Sequence, residues 1–248
     1  FKVGTLLSKN TSFMITKKEL KSISSLRLKK NRKELGQFVA EGTKTVEALI
    51  ESGLAPSALY ATQESDLHQV TLVGQKDMER MTLLKNASPM LGLFSIPSEP
   101  SLPTMGRVLV LDAIADPGNL GTIIRLCDWF GIEHILCSED TVDCYNPKVV
   151  QATMGSLARV YCHYTDLNTF LSQSDLPIYG TFLEGESIYE TSFPENAMLV
   201  LGSESHGISP AIEALVTCRV TIPRKVKQGP ESLNVAIAGA LTLGEFCQ

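Results

Sequence analysis

Apolar positions along the chain fall into two regimes. In the first, Leu20, Ile23, Leu26 and Leu28 recur among lysines and arginines, the spacing of a helix with one buried side. "QFVAEG" predicts a short strand closed by Gly42. "TKTVEALIESG" predicts a helix with Thr43 as N-cap, a stripe through Val46, Leu49 and Ile50, and Gly53 as its stop. "SALYAT" and "QVTLVG" predict strands, "QKDMERMTLLKNA" a helix and "LGLFSI" another strand. Pro97, Pro100, Pro103 and Gly106 then interrupt regular hydrogen bonding and place a domain boundary at residues 97–106.

The second regime alternates more plainly. Short apolar runs at 107–112, 133–137, 178–183, 197–202 and 218–222 predict strands, and helical patterns follow at 119–130, 146–154, 166–172, 209–215 and 232–246. Apolar strands separated by helices predict a parallel sheet covered on both faces. The expected architecture is therefore α/β in two domains, a smaller one over residues 14–100 and a larger one over 107–248. Residues 1–13 read as a leader, a tag remnant or a frayed start.

Composition narrows the class without choosing a function. Of 248 residues, 44% are hydrophobic and 20% charged, as in ordinary soluble domains. No apolar stretch is long enough to span a bilayer, and the first residues lack the core and cleavage site of a secretory signal. Cys127, Cys137, Cys144, Cys162, Cys218 and Cys247 are widely scattered and form no C-x-x-C pair, so reduced thiols, a cytoplasmic location and no metal are expected.

The net charge of −5 hides an asymmetry. Residues 1–50 carry 11 lysines and arginines against 4 acids, a balance of +7, and the remainder carries a balance of −12. A basic end on an acidic body can steer a polyanion to one region; a solvated charged face is the other reading.

Candidate chemistry lies at three strand ends. "LDAIADPGNLGTIIR" runs from strand through turn to helix, the setting in which backbone amides hold phosphates. It lacks the third glycine of a dinucleotide fingerprint, and the chain has no G-x-x-x-x-G-K-[ST] loop. The stretch offers Asn119 as a cap, Gly121 as a bare first turn, and Arg125 on the same helical side. An arginine paired with a surface carboxylate is the bland alternative. "LVLGSESHGISP" sets Gly202, Glu204 and Gly207 in a tight loop after a buried strand. "TIPRKVKQGPESLNVAIAGA" leads from a strand through a basic loop to a helix, with Ser232 as N-cap and Asn234 in its first turn. Ala236, Ala238, Gly239, Ala240 and Gly244 give that helix a small-residue side for close packing. Polar, glycine-containing loops converging on one sheet edge are where open α/β folds bind ligands.

The three blocks resemble the SpoU/TrmH group of the SPOUT superfamily, S-adenosylmethionine-dependent RNA methyltransferases. Asn119, Gly121 and Arg125 match its N-x-G-x-x-x-R motif, and Gly202, Glu204 and Gly207 its G-x-E-x-x-G motif. Ile222 and Pro223, with Glu231 to Val235, match I-P … E-S-L-N-V. The resemblance covers residues 107–248, and the N-terminal part is similar to the group's L30e-like substrate-binding domain. It implies a trefoil-knotted parallel-sheet SPOUT domain, a homodimer, and an S-adenosyl-L-methionine site built largely from backbone around Leu201, Gly202, Gly207, Ile222 and Leu233. Thr181, in "GTFLEG", belongs to a loop expected to cover the cofactor.

The activity implied is methyl transfer to a ribose 2′-hydroxyl of RNA, with ribosomal RNA preferred to tRNA and no metal required. Arg125 would orient a phosphate and stabilise the developing alkoxide, since a guanidinium is a poor base. Asn119, Asn234 and Ser232 would orient the reacting groups, and Glu204 would neutralise and aim Arg125, from its own or the other subunit, or else tether its loop. Lys29, Lys30, Arg32, Lys33 and Lys44 are the expected RNA contacts. Two departures stand out: Ala236 replaces the hydroxyl residue common after S-L-N-V, and the loop of residues 223–231 is longer and more basic. A non-catalytic RNA-binding or assembly protein, and a nucleotide-dependent oxidoreductase, remain the competing readings.

Overall fold

The computed structural model describes residues 15–226 and 231–248. The chain divides into two compact units, Phe1–Ile96 and Pro97–Gln248.

The first unit opens with a helix α1 (Lys17–Ser25), capped by Thr16 and Glu19 in a reciprocal box. The chain then breaks at Leu26–Leu28 before α2 (Lys29–Leu35), so the single long stripe expected there is two helices, and Leu28 is exposed. Strand β1 (Gln37–Glu41), helix α3 (Thr43–Glu51), strands β2 (Pro56–Ala61) and β3 (Val70–Leu72), helix α4 (Gln75–Met81) and strand β4 (Met90–Ser95) follow. Gly42, with φ 92°, precedes α3 as its N-cap, and Thr43 is already helical. The sheet order is β1-β4-β2-β3, antiparallel except for β2 with β3. Phe38 and Phe94 stack as cross-strand partners, while Val39, Tyr60 and Leu91 join Leu20, Ile23, Leu26, Met78 and Met81 in one buried cluster.

The second unit carries strands β5 (Arg107–Asp112), β6 (His134–Cys137), β7 (Tyr161–Tyr164), β8 (Ile178–Ser187), β9 (Ala197–Gly202) and β10 (Cys218–Thr221). They form one parallel sheet in the order β10-β8-β9-β5-β6-β7. Helices α5 (Pro117–Phe130), α6 (Pro147–Thr153), α7 (Leu167–Ser172), α8 (Pro210–Glu213) and α9 (Val235–Phe246) connect and cover it. Along β5 and β9 the alternation sorts the two faces. Val108, Val110, Met198 and Val200 meet Leu167, Leu171, Ile208 and Ile212 on one side. On the other, Leu201 lies under Gly239 of α9, where an added Cβ would sit 3.1 Å from its Cδ1. The small-residue side of α9 is thus a packing surface, as its sequence predicts.

Strand β7 escaped the sequence reading. Its residues Tyr-Cys-His-Tyr show no apolar run, because β7 is an edge strand that among the described residues pairs only with β6. There His163 is buried with its Nε2 2.9 Å from Nδ1 of His134. Burial, helped by the His134 charge, lowers its pKa and keeps the imidazole neutral. His163 lies on the edge strand and His134 opposite it on β6, next to the edge.

Candidate active site

Strands β5 and β9 lie side by side at the centre of the sheet, and the chain leaves β5 towards β6 and β7 while β8 and β10 lie beyond β9. Such a reversal leaves a crevice at the C-terminal ends of the strands. The first two motif blocks begin there, at the ends of β5 and β9, and the third begins at the end of β10.

From β5 the chain turns into α5. Asp116 is the N-cap, accepting from the Asn119 amide at 2.8 Å, and Pro117 fills the first turn. Asn119 is therefore not the cap, and its side chain is free for another task. Gly121 does not bare the helix for a ligand either. A Cβ there would collide with Cβ of Ala152 and crowd the Val149 carbonyl, so this glycine lets α6 approach α5. Arg125 projects from the exposed side of α5, and among the described residues no hydrogen bond or ion pair holds its guanidinium.

From β9 the chain makes a small closed loop. Ser203 and Gly207 exchange two backbone hydrogen bonds of 2.9 Å, and Gly207 adopts φ 68° to complete the turn. A Cβ on Gly202 would overlap the backbone of Gly207 and Ile208. Glu204 stands exposed on this loop, as does His206, whose ring nitrogen meets Ser205 Oγ at 2.8 Å.

From β10 the chain passes Ile222, half-buried, and reaches α9. Asn234, not Ser232, is the N-cap: its Oδ1 accepts from the Ala236 and Ile237 amides at 3.0 and 3.3 Å. Ser232 and Leu233 are exposed just before it. Part of the long basic loop, residues 227–230, lies outside the described residues. Ala236 is buried in the first turn of α9.

Side-chain amides join the three blocks. Asn234 Nδ2 donates to Asn119 Oδ1 at 3.0 Å, and Asn119 Nδ2 donates to Glu204 Oε1 at 2.5 Å. With the α9 amides donating to Asn234, every amide in the row has a fixed orientation. The row starts at the positive end of a helix and finishes on a carboxylate, an arrangement in which each bond polarises the next. Glu204 thus aims Asn119, and the expected Glu204–Arg125 pairing within the chain is not formed.

Beyond Gly180 and Val200 the sheet opens. Strand β8 leaves β9 at that pair, while β9 continues beside β5 to Gly202. The register of β8 against β10 jumps from Gly180 to Glu186, so residues 181–185 bow outward. Thr181 closes the root of the gap, its Oγ1 donating to the Val200 carbonyl at 3.1 Å. The backbone of Leu201 and Gly202 consequently has no β8 partner; Ile222 lies at the end of β10, and Asn234 is bonded to Asn119 of α5. A glycine cradle, strand backbone open on its β8 side and small apolar side chains suit an adenosine and its sulfonium tail, which backbone groups and close packing can hold. Among the described residues, no group of three or more His, Cys, Asp or Glu side chains could hold a metal ion.

In the first unit, Lys29, Lys30, Lys33 and Lys44 are exposed, but Arg32 is not. Only 3% of its surface is exposed, and its Nη1 donates to the carbonyls of Leu26 at 2.7 Å and Arg27 at 2.9 Å. Asn31 Nδ2 adds a bond to the Ser25 carbonyl at 2.8 Å. These carbonyls end α1, where a cation opposes the helix dipole. Arg32 is a structural pin for the α1–α2 corner and is removed from the expected RNA contacts.

Sequence reasoning also missed Asp112, the last residue of β5, which is 6% exposed and accepts from the Ser209 amide at 2.7 Å. The only signal for it was an acid closing the apolar run of β5.

Comparison with known proteins agrees with this geometry. The sequence model of the SpoU rRNA Methylase family matches residues 106–244, and that of the MRM3-like substrate binding domain matches residues 17–89. The chain is 28% identical over 234 residues to the 23S rRNA (guanosine(2553)-2'-O)-methyltransferase RlmP of Bacillus subtilis, covering 90% of this chain and 93% of that protein. Among solved structures, a protein of the TrmH family of RNA methyltransferases from Porphyromonas gingivalis superposes with a TM-score of 0.82 at 36% identity, over 94% of this chain and 98% of its own. An AdoMet-bound rRNA methyltransferase from Sinorhizobium meliloti gives a TM-score of 0.81 at 26% identity, over 94% and 95%. With its all-parallel sheet of the knotted SPOUT type, its N-terminal substrate-binding unit and its three linked motif loops, the chain belongs to the SpoU rRNA methylase family.

Proposed function

We propose that the protein transfers the methyl group of S-adenosyl-L-methionine to a ribose 2′-hydroxyl of RNA, with ribosomal RNA preferred to tRNA. The observation that carries this reading is the row Asn234–Asn119–Glu204, which unites the three motif loops beside the opening in the sheet. When bound, the cofactor supplies a methyl carbon already activated by a sulfonium charge. Thr181, Leu201, Gly202, Gly207, Ile222 and Leu233 would hold it.

The chain's own contribution is placement and charge. Arg125 would grip a phosphate of the substrate in its planar fork and stabilise the alkoxide as it forms. Asn119 and Asn234, locked by their mutual bond, would hold the ribose at a fixed angle, and Ser232 offers a hydroxyl beside them. Fixed geometry supplies much of the rate in such a reaction. Incubation with methyl-labelled S-adenosylmethionine and total cellular RNA should place label in 2′-O-methylnucleosides of ribosomal RNA. Label in tRNA would transfer the reading to tRNA, label on base atoms would overturn the ribose assignment, and no label despite RNA binding would favour the assembly-protein alternative.

Lys29, Lys30, Lys33 and Lys44 would meet the phosphate backbone. Replacing all four with glutamine should weaken RNA binding and reduce the slope of log affinity against log salt by about 3, given about 0.7–0.9 per phosphate contact. An unchanged slope would reduce them to a solvated face. Arg32→Ala should instead destabilise the fold, by about 2–4 kcal/mol, because its carbonyl partners lose a buried charged donor.

A second copy of the chain would complete the assembly. Helices α5 and α9 pack together, and Trp129, Ile237 and Leu241 on them are 84%, 54% and 41% exposed. Apolar side chains left in water at this density suit a subunit interface; a sedimentation mass of one chain would overturn it. All six cysteines are free of disulfides, which supports placement in the reducing cytoplasm.

A further inference from the structure

We propose that Asp112 is a positioning residue for methyl-donor binding, acting as the clasp that closes the loop between β9 and α8. The inference rests on the reading of that loop as part of the cofactor site. No motif singles out this residue, and three observations converge on it.

The first is that both ends of the loop are fixed at Asp112. Its backbone stands opposite Gly202 in the β5–β9 ladder, and its Oδ2 accepts from the Ser209 amide at 2.7 Å. The eight residues from Gly202 to Ser209 therefore leave and return to one residue of the neighbouring strand. The second is internal to the loop. The Ser203–Gly207 bonds and the absence of space for a Cβ on Gly202 make it a small rigid turn whose placement depends on its two ends. The third is what the loop carries: Glu204, bonded to Asn119 of α5. A shift at the Ser209 end would be passed to the first motif as well as to the donor cradle.

The acceptor is buried and paired, as a buried polar group must be, so the Ser209 end of the loop is held in one place. The neighbouring residue is held with similar care. Ala113 has φ 58°, a region unfavourable for any residue with a Cβ. Its amide donates to Ser138 Oγ at 2.8 Å, and the Ile114 amide donates to Thr141 Oγ1 at 3.3 Å. Strained backbone persists where surrounding contacts over-determine it, and such positions cluster at working sites. Asp112 and Ala113 thus set the loop after β9 and the start of the turn into α5 from one point.

The bond can be cut from either side. Asp112→Ala removes the acceptor. Ser209→Pro removes the donor at a φ that the proline ring accepts, since Ser209 already has φ −66°. Each variant should raise the Kd for S-adenosylmethionine, measured by calorimetry, about tenfold, and raise its KM in step. The KM for RNA should stay within about twofold, because neither residue belongs to the basic unit. Asp112→Asn keeps an oxygen for the Ser209 amide and should recover most of the affinity. If either folded variant binds the donor like wild type and only melts earlier, the clasp is merely structural and the proposal falls. If wild type itself binds no S-adenosylmethionine, the reading of the loop falls, and this proposal with it.

Discussion

Replacing Arg125 with alanine should lower the rate of methyl transfer by about a thousandfold while leaving donor binding within about twofold of wild type. Loss of one well-aimed donor to a developing oxyanion costs on the order of 10²–10³ in rate, and a guanidinium that also orients the substrate phosphate belongs at the upper end. The separation of the two effects follows from where the side chain stands. Arg125 lies on the exposed side of α5, outside the Asn234–Asn119–Glu204 row and not bonded to the Ser203–Gly207 loop. Nothing in the donor cradle leans on it. For the same reason the fold should lose no more than about 0.5 kcal/mol, the range of an ordinary surface substitution. Arg125→Lys is the informative companion. It restores charge without the planar fork, so partial recovery would assign the residue to electrostatics, and no recovery would assign it to orientation. Single-turnover rates with saturating donor decide the matter; an unchanged rate for Arg125→Ala would remove this residue from the chemistry.

How much of this was legible beforehand depends on which force set each feature. Strands β5 and β9 were read to the residue because burial on both faces leaves uninterrupted apolar runs, Val108–Leu111 and Met198–Leu201. Strand β7, buried less evenly at the sheet edge, left no such trace. The helix expected over residues 75–87 stops at Met81, since Thr82 turns to extended backbone and gives its hydroxyl to the buried Glu41 carboxylate at 2.6 Å. That bond joins residues 41 positions apart, and no local pattern contains it.

Helix caps failed for a related reason. Thr43, Asn119 and Ser232 were all plausible capping residues close to an apolar stripe. The caps are Gly42, Asp116 and Asn234, chosen by the path of the chain into each helix. At the site, the motif residues were legible and their partners were not. Composition counted Arg32 among the free cations, but the folded chain commits it to the carbonyls that end α1. Glu204 finds Asn119 because β9 lies beside β5, and strand order is a property of the whole sheet.

Gly202 offers the sharpest test of the donor cradle. Valine there should raise the Kd for S-adenosylmethionine by about a hundredfold, equivalent to about 2.7 kcal/mol. The argument is steric and local. The first carbon of any side chain would overlap the carbonyl carbon of Gly207 and the amide nitrogen of Ile208. These are backbone atoms within a turn closed by two hydrogen bonds, so they cannot rotate aside as a flexible side chain would. The turn must open or move as a body, taking with it the Leu201–Gly202 backbone that faces the gap between β8 and β9. Alanine should already produce most of the effect. Gly131→Ala, at the C-terminal end of α5 and outside the cradle, is the control, because its Cβ would meet nothing within 4 Å and only the left-handed φ of 74° opposes it. That strain is about 1–2 kcal/mol, falls on stability, and should alter donor affinity far less. Wild-type affinity in a folded Gly202→Val protein would mean that the donor does not rest on this loop.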